Sequence, residues 1–131
     1  MPLAPLISRN VAVVGKPLSP YSHVVQDGAY AFLSGQLAFD PGVGRVVSGT
    51  IEQETGRAMD LLGAVLRDIG LDFADVVKVS IFMTDLTLLG RMNAVYATYF
   101  PRDQLPARTC IGVGALIGGQ IEIDCIARCR C

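Results

Sequence analysis

The stretch IEIDCIARC, residues 121–129, alternates apolar and polar side chains. Because successive side chains of a β-strand point to opposite faces of a sheet, this period of two predicts a strand with one dry face and one polar face. The polar face carries Glu122, Asp124, Ile126 and Arg128, and the dry face carries Ile121, Ile123, Cys125, Ala127 and Cys129. An ionised group buried without a partner costs several kcal/mol, so these charges must be paired or placed where a ligand meets them.

Residues 50–70 predict an amphipathic helix. Thr50 and Gln53 have the spacing of a capping box, and Gly70 is placed to end the helix. The apolar residues between them recur in steps of four and three, which puts one stripe on one face. The stripe consists of Ile51, Thr55, Ala58, Leu62, Val65 and Ile69. The turn-rich segment FDPGVGRVVSG, residues 39–49, precedes the helix as a connection.

The remaining strands are predicted from shorter patterns. Residues 21–37 set two apolar runs around Asp27-Gly28, which is typical of a β-hairpin. Residues 75–83 are rich in β-branched side chains and predict a strand. Two final strands are predicted near residues 109–113 and 120–129.

A second helix is predicted from about Asp85 or Thr87 to Phe100, where Pro101 ends it. Its predicted stripe consists of Leu88, Met92, Val95 and Tyr99. The order of elements indicates one α+β domain spanning residues 1–131, with a single mixed β-sheet and two helices packed on one face.

The composition indicates what happens to the other face. The chain is 51% hydrophobic and only 18% charged, which is apolar for a small monomer. No run approaches the ~18–20 consecutive apolar residues of a membrane span. We therefore expect the uncovered face to close against copies of the chain in a symmetric oligomer.

The charge distribution and the cysteine and histidine content do not indicate a nucleic acid partner or a metal cofactor. Net charge is −1, and nine Arg and two Lys are scattered without a basic stripe, so we expect no nucleic acid partner. MPLAPLISRN lacks the features of a signal peptide, which makes a cytoplasmic location the expectation. The four cysteines are then expected to be free thiols. His23 is the only histidine and no Cys-x-x-Cys occurs, so we expect no metal site.

Arg108 and Glu122 are the candidates for chemistry. If Thr109, Ile111 and Val113 face the helices, then Arg108, on the opposite parity, faces the assembly side with Glu122. The residues alone leave two readings open. The two groups form a structural ion pair, or the arginine binds a carboxylate beside a glutamate that acts as a general base.

Five short motifs resemble one known family. SPYS (19–22), LSGQL (33–37), MNAVYATYF (92–100), PARTC (106–110) and IEIDCIA (121–127) occur in the order and spacing of the RidA/YjgF enamine/imine deaminases, also called L-PSP endoribonucleases. The resemblance runs from about Leu18 onward. The pair PAR-x-C and IEI-x-x-IA is its most specific part.

This resemblance implies a chorismate-mutase-like fold and a homotrimer with three sites in clefts between subunits. It implies that Arg108 binds the substrate carboxylate and that Glu122 positions the attacking water, with no cofactor and no metal. It places Tyr21, Ser34, Asn93 and Cys110 in the substrate-binding site. Ser19 stands where many members have glycine, Asp124-Cys125 replaces the common Glu-Ala, and residues 114–119 differ from the usual loop.

Without the resemblance, the four lining residues have simpler explanations. Tyr21 suits an aromatic packed at an interface, and Ser34 before Gly35 suits a turn. Asn93 within a helix is usually solvated, and Cys110 suits a small buried side chain.

The expected function is hydrolytic deamination of 2-aminoacrylate-type enamines and imines to 2-oxo acids and ammonia. Two alternatives remain open: a 2-aminomuconate-type deaminase acting on a larger diacid, and a non-catalytic trimer that binds small carboxylates. A ribonuclease is disfavoured by the single histidine and the absence of a basic surface.

Overall fold

The computed structural model describes residues 2–130. Along this range the elements are β1 (Ile7–Arg9), β2 (Val24–Asp27), β3 (Tyr30–Gln36), β4 (Phe39–Asp40), β5 (Arg45–Val46), α1 (Ile51–Asp68), β6 (Val76–Met83), α2 (Leu89–Tyr96), β7 (Ala107–Gly112) and β8 (Ile121–Arg128). Six strands form a sheet in the order β1-β2-β3-β8-β6-β7, and β4 pairs with β5 in a separate ribbon. Only β6 and β7 are parallel among the strand pairs of the described residues, so the sheet is mixed.

The predicted α+β class, mixed sheet and hairpin are confirmed. Asp27 pairs with Tyr30 across the turn, and Gly28 has φ 58°, a conformation that glycine adopts readily. The prediction of a single sheet is wrong in one detail, because residues 39–49 contain the β4–β5 ribbon. Strand β1 was also not predicted, since its three residues are all exposed and carry no alternation.

Helix α1 follows its prediction closely. Thr50 and Gln53 form the capping box, and Gly70 has φ 76° just beyond the helix end. Burial extends beyond the predicted stripe, and the additional buried residues include one acidic side chain. Glu54 is fully buried, and its carboxylate accepts hydrogen bonds from Gln120 N at 2.8 Å and from Gly49 N at 3.3 Å. The hydrogen bond from Gln120 N connects the helix to the residue that precedes β8.

Helix α2 is shorter than predicted. Asp85 caps a 3₁₀ turn over Leu86–Leu88, and a second 3₁₀ turn over Ala97–Tyr99 follows the α-helix. The buried side chains are Met92, Tyr96 and Phe100, whereas the predicted Leu88, Val95 and Tyr99 are only partly buried. Within the α-helix both Val95 and Tyr96 lie one turn after Met92, and the structure buries Tyr96.

The core lies between the sheet and the helices. Alternate residues of the two central strands are buried there: Val79, Ile81 and Met83 from β6, with Ile121, Ile123 and Cys125 from β8. Helix α1 packs over β8 and β3, and α2 packs against α1. The two helices therefore cover one face, which we call the helix face, and leave the opposite side of the sheet as the open face. No helix within residues 2–130 has the length and apolar character to cross a membrane.

Candidate functional site

Arg108 lies at the β7 edge of the sheet beside α2. Its Nη1 donates a hydrogen bond to Asn93 Oδ1 at 2.7 Å, and its guanidinium lies 5.0 Å from the centre of the Tyr96 ring. These contacts fix the position of the guanidinium without neutralising it, because Arg108 forms no ion pair with any residue in the range 2–130. Asn93, Tyr96 and Arg108 line a recess of about 290 Å³. A held, uncompensated guanidinium is suited to binding a carboxylate.

The predicted orientation of β7 is wrong. Val79 pairs with Arg108 and Ile81 pairs with Cys110. Since Val79 and Ile81 point to the helix face, Arg108 and Cys110 point there too. Thr109 lies on the open face, where its Oγ1 accepts a hydrogen bond from Lys78 Nζ at 2.6 Å. The prediction assumed that apolar residues turn inward, but both sides of this edge strand are largely exposed, so burial does not fix its parity.

Glu122 lies on the open face, half-buried against β3. A Cβ at Gly35 would come within 2.6 Å of Glu122 Oε2, so the carboxylate occupies the space that the glycine leaves. Burial raises the pKa of Glu122, and the neighbouring Asp124 raises it further. A carboxylate with a raised pKa is a better proton acceptor at neutral pH than an ordinary surface glutamate.

Asp124 is a second half-buried carboxylate on the same face, to which the sequence predicted no role. Burial raises its pKa, while a hydrogen bond from Ser80 and the charge of Lys78 partly offset that effect. The alternation along the strand predicts that Asp124 shares a face with Glu122. It does not predict that Asp124 is half-buried. Because both pKa values are raised, ionising Glu122 and Asp124 on the open face costs more free energy than ionising carboxylates in water.

Ser34 sits at an irregularity of β3. The register slips between Leu33 and Gln36, so two residues of β3 lie opposite Asp124. Ser34 Oγ donates to Ser22 O at 2.6 Å, and Ser34 N donates to His23 O at 3.0 Å. The hydroxyl proton is thus used within the protein, and only the oxygen lone pairs remain for a ligand. The simpler explanation of Ser34 as a turn residue is wrong, because Ser34 lies inside β3.

Tyr21 borders a larger cleft. Its ring is 45% exposed and packs edge-on to His23 with centroids 6.1 Å apart. Tyr21 and Gly35 line this cleft, whose volume is about 460 Å³. Glu122 is not among the residues that line this cleft.

Cys110 is suited to remain a protonated thiol, and not to act as a thiolate nucleophile. Burial raises its pKa, and the positive charge of Arg108 only partly offsets this. Cys110, Cys125 and Cys129 are unbridged, as expected, while Cys131 lies outside the described residues. No group of three or more His, Cys, Asp or Glu suited to a metal ion occurs within residues 2–130.

The predicted site residues thus fall into two groups. Asn93, Arg108 and Cys110 lie at the β7 edge, and Tyr21, Ser34 and Glu122 lie around β3 and β8. Glu122 and Arg108 are two strands apart and three residues out of register. At ~4.8 Å per strand and ~3.3 Å per residue, their Cα atoms are about 14 Å apart, with side chains on opposite faces. One copy of the chain cannot bring both groups to one small ligand.

Comparison with known proteins gives a consistent match. Residues 12–129 match the family described as endoribonuclease L-PSP. Protein DfrA of Myxococcus xanthus is 44% identical over 115 residues, covering 86% of this chain and 87% of that protein. The 2-iminobutanoate/2-iminopropanoate deaminase of Mus musculus is 35% identical over 128 residues, covering 95% of this chain and 94% of that protein. A solved Rid-family structure from Yersinia pestis has a TM-score of 0.90 at 29% identity, covering 95% of this chain and 100% of that one.

Proposed function

The chain belongs to the endoribonuclease L-PSP family, which includes the Rid proteins, and on that premise we propose that it hydrolyses reactive imines and enamines of small 2-amino acids. The products would be the 2-oxo acid and ammonia. The relative from Mus musculus carries the name of such a deaminase. The observation that carries the proposal is the guanidinium of Arg108, which is held by Asn93 and Tyr96 but not neutralised.

The proposed site lies between two copies of the chain. Arg108 is on the helix face and Glu122 on the open face, so a ligand that meets both must take them from different subunits. The open face has the apolar surface that such an assembly needs, since Tyr30 is 46%, Phe32 45% and Ile111 45% exposed. We propose a homotrimer with the chorismate-mutase-like arrangement that the sequence resemblance implies, its three sites lying at the subunit contacts.

The chemistry requires few groups. Arg108 binds the substrate carboxylate bidentately and so places the imine carbon. Glu122 accepts a proton from water as the water oxygen bonds to the carbon of the protonated imine and the π electrons of C=N move to nitrogen, which gives a neutral carbinolamine. The proton held by Glu122 then passes to the carbinolamine nitrogen, the C–N bond breaks to release ammonia, and the hydroxyl proton returns to Glu122 as C=O forms. Asn93 positions Arg108, while Tyr21, Ser34 and Cys110 shape the walls of the site.

The test combines two conservative substitutions in an assay with enzymatically generated 2-aminoacrylate. Glu122→Gln keeps the shape but cannot accept a proton, and we expect a loss of about a hundredfold or more in kcat. Arg108→Lys keeps the charge but loses the planar fork, and we expect mainly a rise in KM. Arg102→Lys, at an exposed position, is the matched control. Glu122→Gln protein that stays assembled and retains the parent rate would exclude the proposed mechanism.

A non-catalytic carboxylate-binding protein is the second candidate. It is favoured by the Arg108 recess, which is complete without Glu122. This candidate predicts no imine hydrolysis by any variant, together with binding of an inert acid such as propionate that Glu122→Gln leaves unchanged and Arg108→Lys weakens. The cytoplasmic location stays a prediction from the sequence.

A further inference from the structure

Glu54 is a buried carboxylate that the proposed mechanism does not use. The residue lies in the first turn of α1 and is 0% exposed. Three N–H donors reach its two oxygens: Gln120 N at 2.8 Å, Gln120 Nε2 at 2.5 Å and Gly49 N at 3.3 Å. Burying a carboxylate is costly unless such donors compensate for the lost water. Here the donors come from two segments that are seventy positions apart in the chain.

Both segments are walls of the cleft beside Tyr21. One wall contains Arg45 and Ser48 and leads to Gly49, and the other consists of residues 117–119 and leads to Gln120. The side-chain amide of Gln120 also donates to Gly49 O at 2.9 Å, so the two walls are bonded to each other as well as to Glu54. One carboxylate therefore connects both walls to helix α1.

The loop of residues 117–119 lies too close to its neighbours to carry larger side chains at two positions. A Cβ at Gly119 would lie 2.5 Å from Glu54 Oε1, and a Cβ at Gly118 would lie 3.2 Å from the side chain of Val46 on the facing wall. Glycine permits this close approach of the backbone. The loop is thus in direct contact with the carboxylate that holds it.

The third wall of the cleft has a separate attachment through His23. Its Nδ1 accepts a hydrogen bond from Val11 N at 2.8 Å, and its own N–H donates to Asn10 Oδ1 at 3.3 Å. An acceptor at Nδ1 requires the tautomer that carries its proton on Nε2, and burial lowers the pKa of the ring, which keeps it neutral at pH 7. Lys16 and Tyr21 lie on this wall. Loss of the Glu54 carboxylate should therefore release the other two walls only.

We propose that Glu54 is a positioning residue, which holds two walls of this cleft in place before a ligand binds. The inference rests on the proposed function for one point only, the binding of a small acid at a site that includes Tyr21. A wall that is already ordered reduces the free-energy cost of binding, so Glu54 should raise the affinity for the acid without touching the reacting groups.

A carboxylate suits this position because both of its oxygens accept hydrogen bonds. The amide of a glutamine has one oxygen and one NH₂ group, and the NH₂ group would face at least one of the N–H donors of Gly49 and Gln120. Glu54→Gln therefore keeps the size of the side chain and breaks the connection between the walls.

Hydrogen exchange and calorimetry test this variant without any turnover. We expect amide exchange at Gly49, Gln120 and residues 117–119 to become about tenfold or more faster, with the parent rate kept at Ile123 in the core of the sheet. The dissociation constant of 2-oxobutanoate, a small acid of the proposed product class, should rise by about tenfold. Glu52→Gln is the matched control, because its carboxylate accepts its hydrogen bonds from Arg91, and it should match the parent protein in both measurements.

Kinetics separate positioning from a general structural role. In the imine assay, Glu54→Gln should raise KM by about tenfold and leave kcat within about twofold of the parent value, because Arg108 and Glu122 are unchanged. Gln120→Ala is the milder variant. It removes the side-chain hydrogen bonds of Gln120 and keeps its backbone N–H on Glu54, so the dissociation constant should rise by about threefold, and this variant carries the test if Glu54→Gln fails to fold.

The outcomes separate this inference from the proposed function. Unchanged exchange at Gly49 and Gln120, or an unchanged affinity for 2-oxobutanoate, would overturn the positioning role. Exchange that becomes equally faster at Ile123 would also overturn it, because the whole domain would then be less stable. A parent protein that hydrolyses no imine but binds 2-oxobutanoate in a manner that depends on Glu54 would overturn the proposed function alone. A parent protein without affinity for 2-oxobutanoate would overturn both.

Discussion

The two faces of the central strands β6 and β8 differ in what covers them and not in how they are built. On the helix face Ile81 pairs with Ile123, and both are fully buried. On the open face the neighbouring pair is Phe82 with Glu122, and both are only partly buried. Alternation along the same backbone produces both surfaces. Burial of the covered face stabilises a single copy of the chain. The contribution of the open face to stability depends on what binds against it.

Burial changes the pKa values of acidic and basic groups in opposite directions. The carboxylates of the open face have raised pKa values because partial burial disfavours their charge. His23, buried on the cleft side, has a lowered pKa for the same reason. Burial therefore opposes negative charge on one surface and positive charge on the other, and the two surfaces should respond to pH in opposite directions.

The largest effect is expected from breaking the covered face. Ile123→Ala leaves a cavity between the sheet and α1, and we expect a loss of about 2–5 kcal/mol in the free energy of unfolding at every protein concentration. Ile126→Ala on the same strand is the matched control from the open face. Its loss should be smaller and should depend on protein concentration. Urea denaturation of both variants at several concentrations checks this, and equal losses independent of concentration would show that the two faces are equivalent.

The next effect concerns assembly. Phe32→Glu puts a charge in the middle of the open face, where association would bury it unpaired. We expect self-association to weaken by about a hundredfold or more, with an unchanged circular dichroism spectrum, in sedimentation equilibrium. Val13→Glu, at a position 68% exposed in the turn that packs near α1, is the control and should assemble like the parent protein. A Phe32→Glu protein as associated as the parent would mean that the open face is not the contact.

A smaller effect is expected from the open-face carboxylates. A raised pKa gives stability that is present below the unfolded value, 4.5 for Glu122, and is lost as pH rises through the folded value. Glu122→Gln removes this loss. We therefore expect it to raise the melting temperature by a few degrees at pH 7 and by nothing measurable at pH 4. If Glu122 were a structural partner of Arg108, the sign at pH 7 would reverse, and scanning calorimetry at the two pH values decides between them.

The smallest effect is expected from His23. Its lowered pKa gives stability that is present above the unfolded value of 6.5 and is lost as pH falls below it. His23→Gln retains an acceptor for Val11 N but does not titrate. Relative to this variant, the parent protein should lose about 2 °C or less in melting temperature between pH 7.5 and pH 5.5. Parallel melting curves for the two proteins over that range would contradict the assigned neutral state of His23.

Much of the helix face could be predicted from local patterns. The stripe and capping box of α1, the alternation of β8 and the Asp27-Gly28 turn each combine a periodic signal with a specific terminating residue. Where one of these components is weak, the prediction failed. In α2 both Val95 and Tyr96 are spaced to follow Met92 on one face, so periodicity alone did not select between them. Strand β7 is largely exposed on both sides and gave no burial signal to fix its parity.

The residues of the candidate site stay a prediction from the sequence, and their arrangement in the fold could not be predicted. Arg108 and Glu122 could be selected because charged side chains in apolar strands need a reason to be there. Their separation onto opposite faces depends on the register of β7 against β6, which joins residues some thirty positions apart in the chain. Local periodicity contains no information about such a register.

The sequence by itself determined the class of fold, the helix that covers the sheet and the residue types available for chemistry, because each depends on interactions within a few residues. The tertiary structure alone decided that Arg108 contacts Tyr96 and Asn93. It also decided that Glu122 occupies the space beside Gly35, and that Lys16 and Arg45 line one cavity. Each of these contacts joins segments far apart along the chain, and pairing and packing, not periodicity, bring such segments together.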